Sequence, residues 1–175
     1  MFMKKHITSL LVITVFFICI IVFVIGEQFW SILSSLFFDA SINEIVIERY
    51  FQKGIPNNHS FPAYIFITLK IILSLYFLML VIKAFAFLKK MHSGKLIFKD
   101  QNNQIRFVGS GLIAYASIKY AFLVFFGIVF YKQPGVLVEG LSHLFSFYII
   151  GKLLLLASSI SSQAESYKTE NDLTV

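Results

Sequence analysis

The run Ile7–Gly26, ITSLLVITVFFICIIVFVIG, contains no charged residue. In helix, a stretch of that length measures about 30 Å, the thickness of a bilayer's hydrocarbon core. A helix on a soluble core keeps a polar face, and this run has none. Three further stretches are candidates of the same kind. Phe61–Leu88 is interrupted by Lys70 and Lys83, Phe107–Tyr131 by Lys119, and Leu141–Ile160 by His143 and Lys152. The composition agrees: 58% of residues are apolar, only 14% are charged, and the mean hydropathy is +0.80. A soluble domain carries about 25% charged residues. A soluble enzyme, a disordered chain and a free nucleic-acid binder are thereby excluded, in spite of a pI near 9.4.

These stretches predict an all-α membrane protein: a four-helix transmembrane bundle, left-handed by default, forming a single integral membrane domain over residues 1–175. The expected spans are about 7–26, 61–88, 107–131 and 141–160. They leave a partly ordered outer loop at 27–60, a cytoplasmic loop at 89–106 and a cytoplasmic tail at 161–175. Lys4 and Lys5 before the first run resemble the start of a signal peptide. The run is too long for an h-region, however, no small-x-small site follows it, and Gly26-Glu27-Gln28 leads into more apolar sequence. An uncleaved anchor is expected.

Basic residues in short loops set orientation. Lys4, Lys5, Lys89, Lys90, Lys95, Lys99 and Arg106 fall on one side, and Arg49, Lys53 and Lys132 on the other, seven against three before the tail is counted. Both termini are therefore expected in the cytoplasm.

In the outer loop, Trp30, Leu33 and Phe37 recur at helical spacing, which predicts a short amphipathic helix over Phe29–Phe38 in the headgroup region. Ile42–Phe51 reads equally as a short helix or an extended segment, and Gly54, Pro56, Asn57 and Asn58 end it. The loop is either a cap over the outer ends of the bundle or a surface for a ligand or partner. On the cytoplasmic side a turn is expected at Ser93-Gly94, with Asp100 as N-cap of the following helix. Lys89, Lys90, Lys95, Lys99 and Arg106 mark topology first. They also form a candidate cytoplasmic contact surface, able to hold anionic lipid at about 1 kcal/mol per residue. The end of the polar tail is expected to be solvated.

Several patterns invite an enzymatic reading and fail on context. Gly109-Ser110-Gly111-Leu112-Ile113-Ala114 matches G-x-G-x-x-A, and Tyr115…Lys119 and Tyr148…Lys152 match Tyr-x-x-x-Lys. The glycine fingerprint works only between a strand and a helix of a parallel sheet, and here it opens a membrane helix. Ser110, Ala114, Ser117 and Ala121 instead form a stripe of small residues, expected to face a closely packed neighbour, with Ser142 and Ser146 doing the same in span four. The single Cys19 removes disulfides and cysteine zinc sites. His6, His59, His92 and His143 are scattered. No catalytic, cofactor-binding or metal-binding residue is expected, and the chain reads as a non-enzyme.

The costly feature is lysine within the spans. A Lys at the bilayer centre costs about 2.5–3.5 kcal/mol on insertion scales. Lys119 and Lys152 are expected at similar depth, with Lys70 about 12 Å below the outer end of span two. Tyr115 and Tyr148 each lie one turn before a deep lysine, where a phenol oxygen can accept a hydrogen bond from the ammonium. No span offers an acid near mid-depth. Lys119, Lys152, Tyr115, Tyr148 and Lys70 therefore form a candidate polar or anion site. Its lysines are satisfied by waters and tyrosine hydroxyls inside the bundle, by an anion accepted into a cavity, or by a partner's carboxylate.

Three features carry a resemblance. They are the four-span layout with a long first outer loop, the series Gly94…Phe98…Asn102…Arg106…Gly109, and the ending Glu170-Asn171-Asp172-Leu173-Thr174-Val175. Together they resemble the bacterial domain-of-unknown-function 2975 family of small four-span membrane proteins. The resemblance implies a bacterial cytoplasmic membrane. The family has no established activity, so it brings no site residue. Some members are encoded beside small helix-turn-helix regulators, which implies a membrane partner of a transcriptional regulator. The leading expectation is an accessory or regulatory membrane protein acting through contacts with such a regulator, without binding nucleic acid itself. The alternative is a small transporter or anion- or lipid-binding protein using the intramembrane lysines, as a homo-oligomer that encloses a path.

Overall fold

A computed structural model describes residues 2–38, 41–51, 60–93 and 98–173. Among them are five helices: α1 (Phe2–Phe37), α2 (Ile42–Tyr50), α3 (Phe61–His92), α4 (Phe98–Val129) and α5 (Val136–Leu173). Four are long and apolar enough to cross a membrane, over His6–Phe37, Phe61–His92, Asn102–Val129 and Val136–Ala164. That is the architecture of a multi-pass membrane protein. The long helices alternate in direction. The end of α1, α2, the start of α3 and the α4–α5 turn therefore share one end of the molecule, called the α2 end below. The start of α1 and the end of α5 lie toward the other.

Local sequence explains where the helices stop. Pro62 sits in the first turn of α3, where its missing N–H would have had no helical partner anyway. Lys89, Lys90 and His92 close α3 beside its free carbonyls. Ser93 makes the expected turn, and its N–H donates to the Lys89 carbonyl at 3.1 Å. After α4, Lys132 adopts φ 50° in the left-handed region, and the Gln133 N–H reaches back to the Gly127 carbonyl at 2.8 Å.

Several expected boundaries move. Phe29–Phe38 is no separate interfacial helix: α1 continues unbroken to Phe37, because nothing after Gly26 terminates it. The expected loop at 27–60 thus begins as membrane-length helix. Ile42–Tyr50 forms a helix with Ile42, Asn43 and Val46 buried. Asp100 lies inside the first turn of α4 rather than at its N-cap, since the helix begins at Phe98. α5 starts at Val136, where the expected span began at 141, and carries the polar tail in helix to Leu173. Gly54, Pro56, Asn57, Asn58 and Gly94 lie outside the described residues.

The helices pack in chain order. α3 lies against α1 and α4, and α4 runs along α5. Among the described residues, no Cα of α1 comes within 8 Å of α4 or α5, so the row is open between α1 and α5. Two apolar clusters hold it together. At the α2 end, Val46 and Phe51 pack on Phe66, Phe126, Tyr131 and Val136. Toward the termini, Ile21 and Ile25 pack with Phe77, Leu80, Leu112 and Tyr115.

Glycines set how closely α4 approaches its neighbours. A Cβ placed on Gly151 would lie 2.7 Å from the Gly109 carbonyl oxygen, and one on Gly109 would lie 2.9 Å from the Gly151 carbonyl oxygen. Neither is possible without separating the helices. Gly111 faces α3, where the ends of the Leu80 and Tyr76 side chains lie against it. The expected stripe is displaced: Ser110, Ser117 and Ala121 are exposed and Ala114 is half-buried, while Ser142 and Ser146 face outward. One residue along a helix is a rotation of about 100°, and backbone contact at Gly109 and Gly151 outweighs the approach that Ser or Ala permits. Farther along, the Ser158 hydroxyl bonds the Asn102 side chain.

Candidate functional site

Three helices converge on a cavity of about 240 Å³. α1 contributes Gln28, α3 contributes Lys70 and Ser74, and α4 contributes Tyr115 and Lys119, with Phe66 and Phe122 toward the α2 end. Lys70 and Ser74 lie one turn apart, as do Tyr115 and Lys119, so each pair shares a helix face. Lys70 is nine residues into α3, about 13 Å from its start at the helical rise.

The charged groups in this chamber, Lys70 and Lys119, are both cations. Gln28 is 2% exposed. Its Oε1 accepts a hydrogen bond from the Ser74 hydroxyl at 3.4 Å, and its Nε2 has no partner among the described residues. The Lys70 ammonium lies 3.0 Å from the centre of the Tyr50 ring and 5.9 Å from that of Phe66. The Lys119 ammonium lies 5.7 Å from the Tyr115 ring centre and 6.0 Å from that of Phe147. Among the described residues, no carboxylate lines the chamber.

α2 lies over Lys70 and is tied down on three sides. Tyr50 covers Lys70, Phe51 stacks on Tyr131 at 4.5 Å and 17°, and the Arg49 Nη1 lies 3.6 Å from the Glu27 carboxylate. Burial pushes the Tyr50 phenol up from its ordinary value, against the opposing pull of Arg49. Burial also pushes the Tyr131 phenol up, to about 12. A Ser35–Tyr64 hydroxyl pair at 2.7 Å joins α1 to α3 at the same end.

Of the five residues expected to form a polar site, the structure brings Lys70, Tyr115 and Lys119 together and leaves out Lys152 and Tyr148. Both of these are exposed, with the Lys152 ammonium 5.6 Å from the Tyr148 ring centre. The antiparallel register, set by Tyr120 beside Gly140 and Gly109 beside Gly151, explains the difference. It places Lys119 level with Leu141 and Lys152 level with Val108, about eleven residues or roughly 16 Å apart along the bundle. The expectation of similar depth fails because α5 begins earlier than its apolar run. Gly111 beside Leu80 puts Lys83 at the level of Val108 too. Lys83 is about 33 Å from the start of α3, so Lys152 and Lys83 both stand well beyond the chamber, toward the end opposite α2. The tyrosines also act differently from expectation, offering ring faces to the ammonium groups.

Of the five basic residues expected to form a cytoplasmic contact surface, Lys89, Lys90 and Arg106 have described side chains. Lys89 and Lys90 are exposed on the last turn of α3, and Arg106 is exposed on α4. Lys99 falls in the first turn of α4 and Lys95 lies outside the described residues. Lys89 and His92 border an apolar groove with Leu11, Val12, Val15 and Phe85.

Gln28, Ser74 and Tyr50 escaped the sequence reading. Gln28 was legible: with Ile21 and Ile25 it continues the buried face of α1 at helical spacing once the helix is extended past Gly26. Tyr50 reaches Lys70 only through the folding back of α2, which no local pattern reports. The arrangement as a whole suits an acceptor-only group, a carboxylate or phosphate, facing two ammonium groups and an amide. No family model matches the chain, and no curated protein or solved structure does.

Proposed function

We propose that this is a protein of the bacterial cytoplasmic membrane, both termini inside, that binds an anionic group in the chamber between α1, α3 and α4. It acts by binding, not by catalysis. The observation that carries this reading is the one-sided charge of the lining: Lys70 and Lys119, with a Gln28 Nε2 that has no partner among the described residues and no carboxylate among the described lining residues. Cation–π contacts of about 0.5–2 kcal/mol offset only part of the burial cost of a lysine. An anion completes the pairing. The test is thermal unfolding in phosphatidylcholine nanodiscs with acetate or inorganic phosphate against chloride. Stabilisation that disappears in Lys70→Met and Lys119→Met supports the reading. An equal response in wild type and both variants overturns it.

A second reading has its own observation. α5 stays helical to Leu173, nine residues beyond the apolar stretch that ends at Ala164, a projection of about 14 Å. Such a rod provides a contact surface for a cytoplasmic partner, in line with the regulatory role and helix-turn-helix regulator implied by the family resemblance. Truncation after Ala164 then abolishes retention of a stoichiometric partner in a mild-detergent pull-down. Retention of the same partner by the truncated chain counts against it.

A further inference from the structure

The open seam between α1 and α5 holds a second cavity, of about 300 Å³. Its walls are apolar: Ile13 and Phe17 of α1, Leu80 and Ala84 of α3, Leu112 of α4 and Ile150 of α5. A packed ring cluster stands between it and the chamber. Tyr115 lines the chamber, Phe77 and Phe147 line the groove, and the three rings form one cluster. Tyr115 stacks on Phe77 at 4.6 Å and 18°, and Phe147 meets both rings edge-on, at 5.5 Å from Phe77 and 5.7 Å from Tyr115. The Lys119 ammonium leans onto the same cluster, 6.0 Å from the Phe147 ring centre. From Lys70 to Ala84 is fourteen residues of α3, a combined length of about 21 Å.

A chamber whose charged groups are both cations at one end and an apolar trough at the other, with a ring cluster between them, have the polarity of an amphiphile. Building on the anion-binding reading above, we propose that the ligand is an anionic amphiphile with a single alkyl chain. Its carboxylate or phosphate monoester sits at Lys119, Lys70 and Gln28, and its chain runs past Tyr115, Phe77 and Phe147 into the groove between α1 and α5. The head site lies toward the α2 end, and the groove runs on from about 24 Å to about 34 Å along α3, from Phe77 to Ala84. The absence of close α1–α5 packing gives the chain a sideways entry from the membrane. Bulk lipid fills any apolar groove in a bilayer, but it has no reason to depend on two buried lysines. That dependence is what separates a bound amphiphile from solvent lipid.

The experiment is photolabelling in phosphatidylcholine nanodiscs with palmitate and hexadecyl phosphate, each carrying a diazirine at the chain terminus. Labelled residues are mapped by mass spectrometry. Acetate and inorganic phosphate serve as tail-less probes in the thermal assay. The expected result is saturable labelling at Val81, Ala84 or Leu112 that falls at least tenfold in Lys119→Met. Ala84→Trp, which fills the groove, is expected to abolish that labelling while the thermal response to acetate or phosphate persists. Ala84→Leu serves as the milder filling variant if the tryptophan disturbs folding. Whichever probe saturates at lower concentration identifies the headgroup as carboxylate or phosphate. Groove labelling that is unchanged in Lys119→Met, alongside a lysine-dependent response to the tail-less anions, overturns the amphiphile and leaves the anion site standing. A response to neither class of anion that depends on the lysines overturns both.

Discussion

The Lys70 ammonium sits 3.0 Å from the centre of the Tyr50 ring, so a lysine that lines the chamber is capped by α2. α2 is short, with only nine residues, and helices of that length hold their shape through tertiary contacts. Tyr50, Phe51 and Arg49 supply these to α3, to the α4–α5 turn and to α1. Replacing Tyr50 with Leu removes the ring face and is expected to lower stability by about 0.5–2 kcal/mol, while Tyr50→Phe retains most of it. Thermal unfolding of the two variants in nanodiscs measures the difference, and equal losses from both would assign the effect to the hydroxyl instead.

Gln28→Leu is expected to act in opposite directions on stability and binding. Its Nε2 is buried without a partner among the described residues, and an unsatisfied buried donor costs about 1–3 kcal/mol. The leucine variant therefore melts higher than wild type without ligand and gains less from added acetate or phosphate. Ser74 loses its acceptor but can turn to a carbonyl of its own helix. A variant that melts lower and binds as well as wild type would refute this.

The two tyrosine-paired lysines separate cleanly. Lys119→Met is expected to remove the response to anions, whereas Lys152→Met leaves it within error, because Lys152 is exposed on α5 well away from the chamber. Titrating both variants with phosphate decides the matter. Equal losses would mean that α4 and α5 pair in a different register.

Valine at Gly151 or Gly109 forces the α4 and α5 backbones apart. A loss of about 1–3 kcal/mol is expected for each, the usual cost of overpacking. Valine at the exposed Ser117 or Ala121 is expected to be near neutral. Unfolding midpoints of the four variants test which stripe carries the packing.

Alkaline pH is expected to weaken the α2 end. Tyr131 is fully buried, and burial raises its phenol from 10.0 to about 12. A phenol whose folded value lies above its unfolded one contributes stability that is complete below pH 10 and disappears as pH rises toward 12. Tyr131→Phe removes this dependence. It is also expected to melt higher at neutral pH, since the hydroxyl has no partner among the described residues. Identical pH profiles for wild type and variant between pH 9 and 12 would show that another group controls the loss.

How much of this was legible in the sequence depended on the range of the interaction. The spans were readable because twenty uncharged residues from Ile7 to Gly26 have few places to go but a bilayer. Lys70, Lys119 and Tyr115 were readable because a charge inside an apolar run is costly wherever its helix lies. The pairing of Lys119 with Lys152 was misjudged because depth was counted from the ends of the apolar runs. The real register is set by Gly109 against Gly151 and by a helix that starts at Val136. The small-residue stripe was assigned one residue away from the face that packs. Tyr50 was beyond reach, since its partner is twenty residues farther along and meets it only when α2 folds over the chamber.

The depth of the chamber has an electrical consequence. In the orientation proposed above, with the α2 end outside and the bilayer beginning at the start of α3, Lys70 lies about 13 Å into a hydrocarbon layer of about 30 Å, some two-fifths of the way through the transmembrane field. A full crossing is worth about 2.3 kcal/mol per elementary charge per 100 mV, so an anion arriving from outside against an inside-negative potential loses about 1 kcal/mol. That is roughly a fivefold weaker hold on a fully energised membrane than on a depolarised one. Occupancy of the chamber would then report the energetic state of the cell as well as the abundance of the ligand.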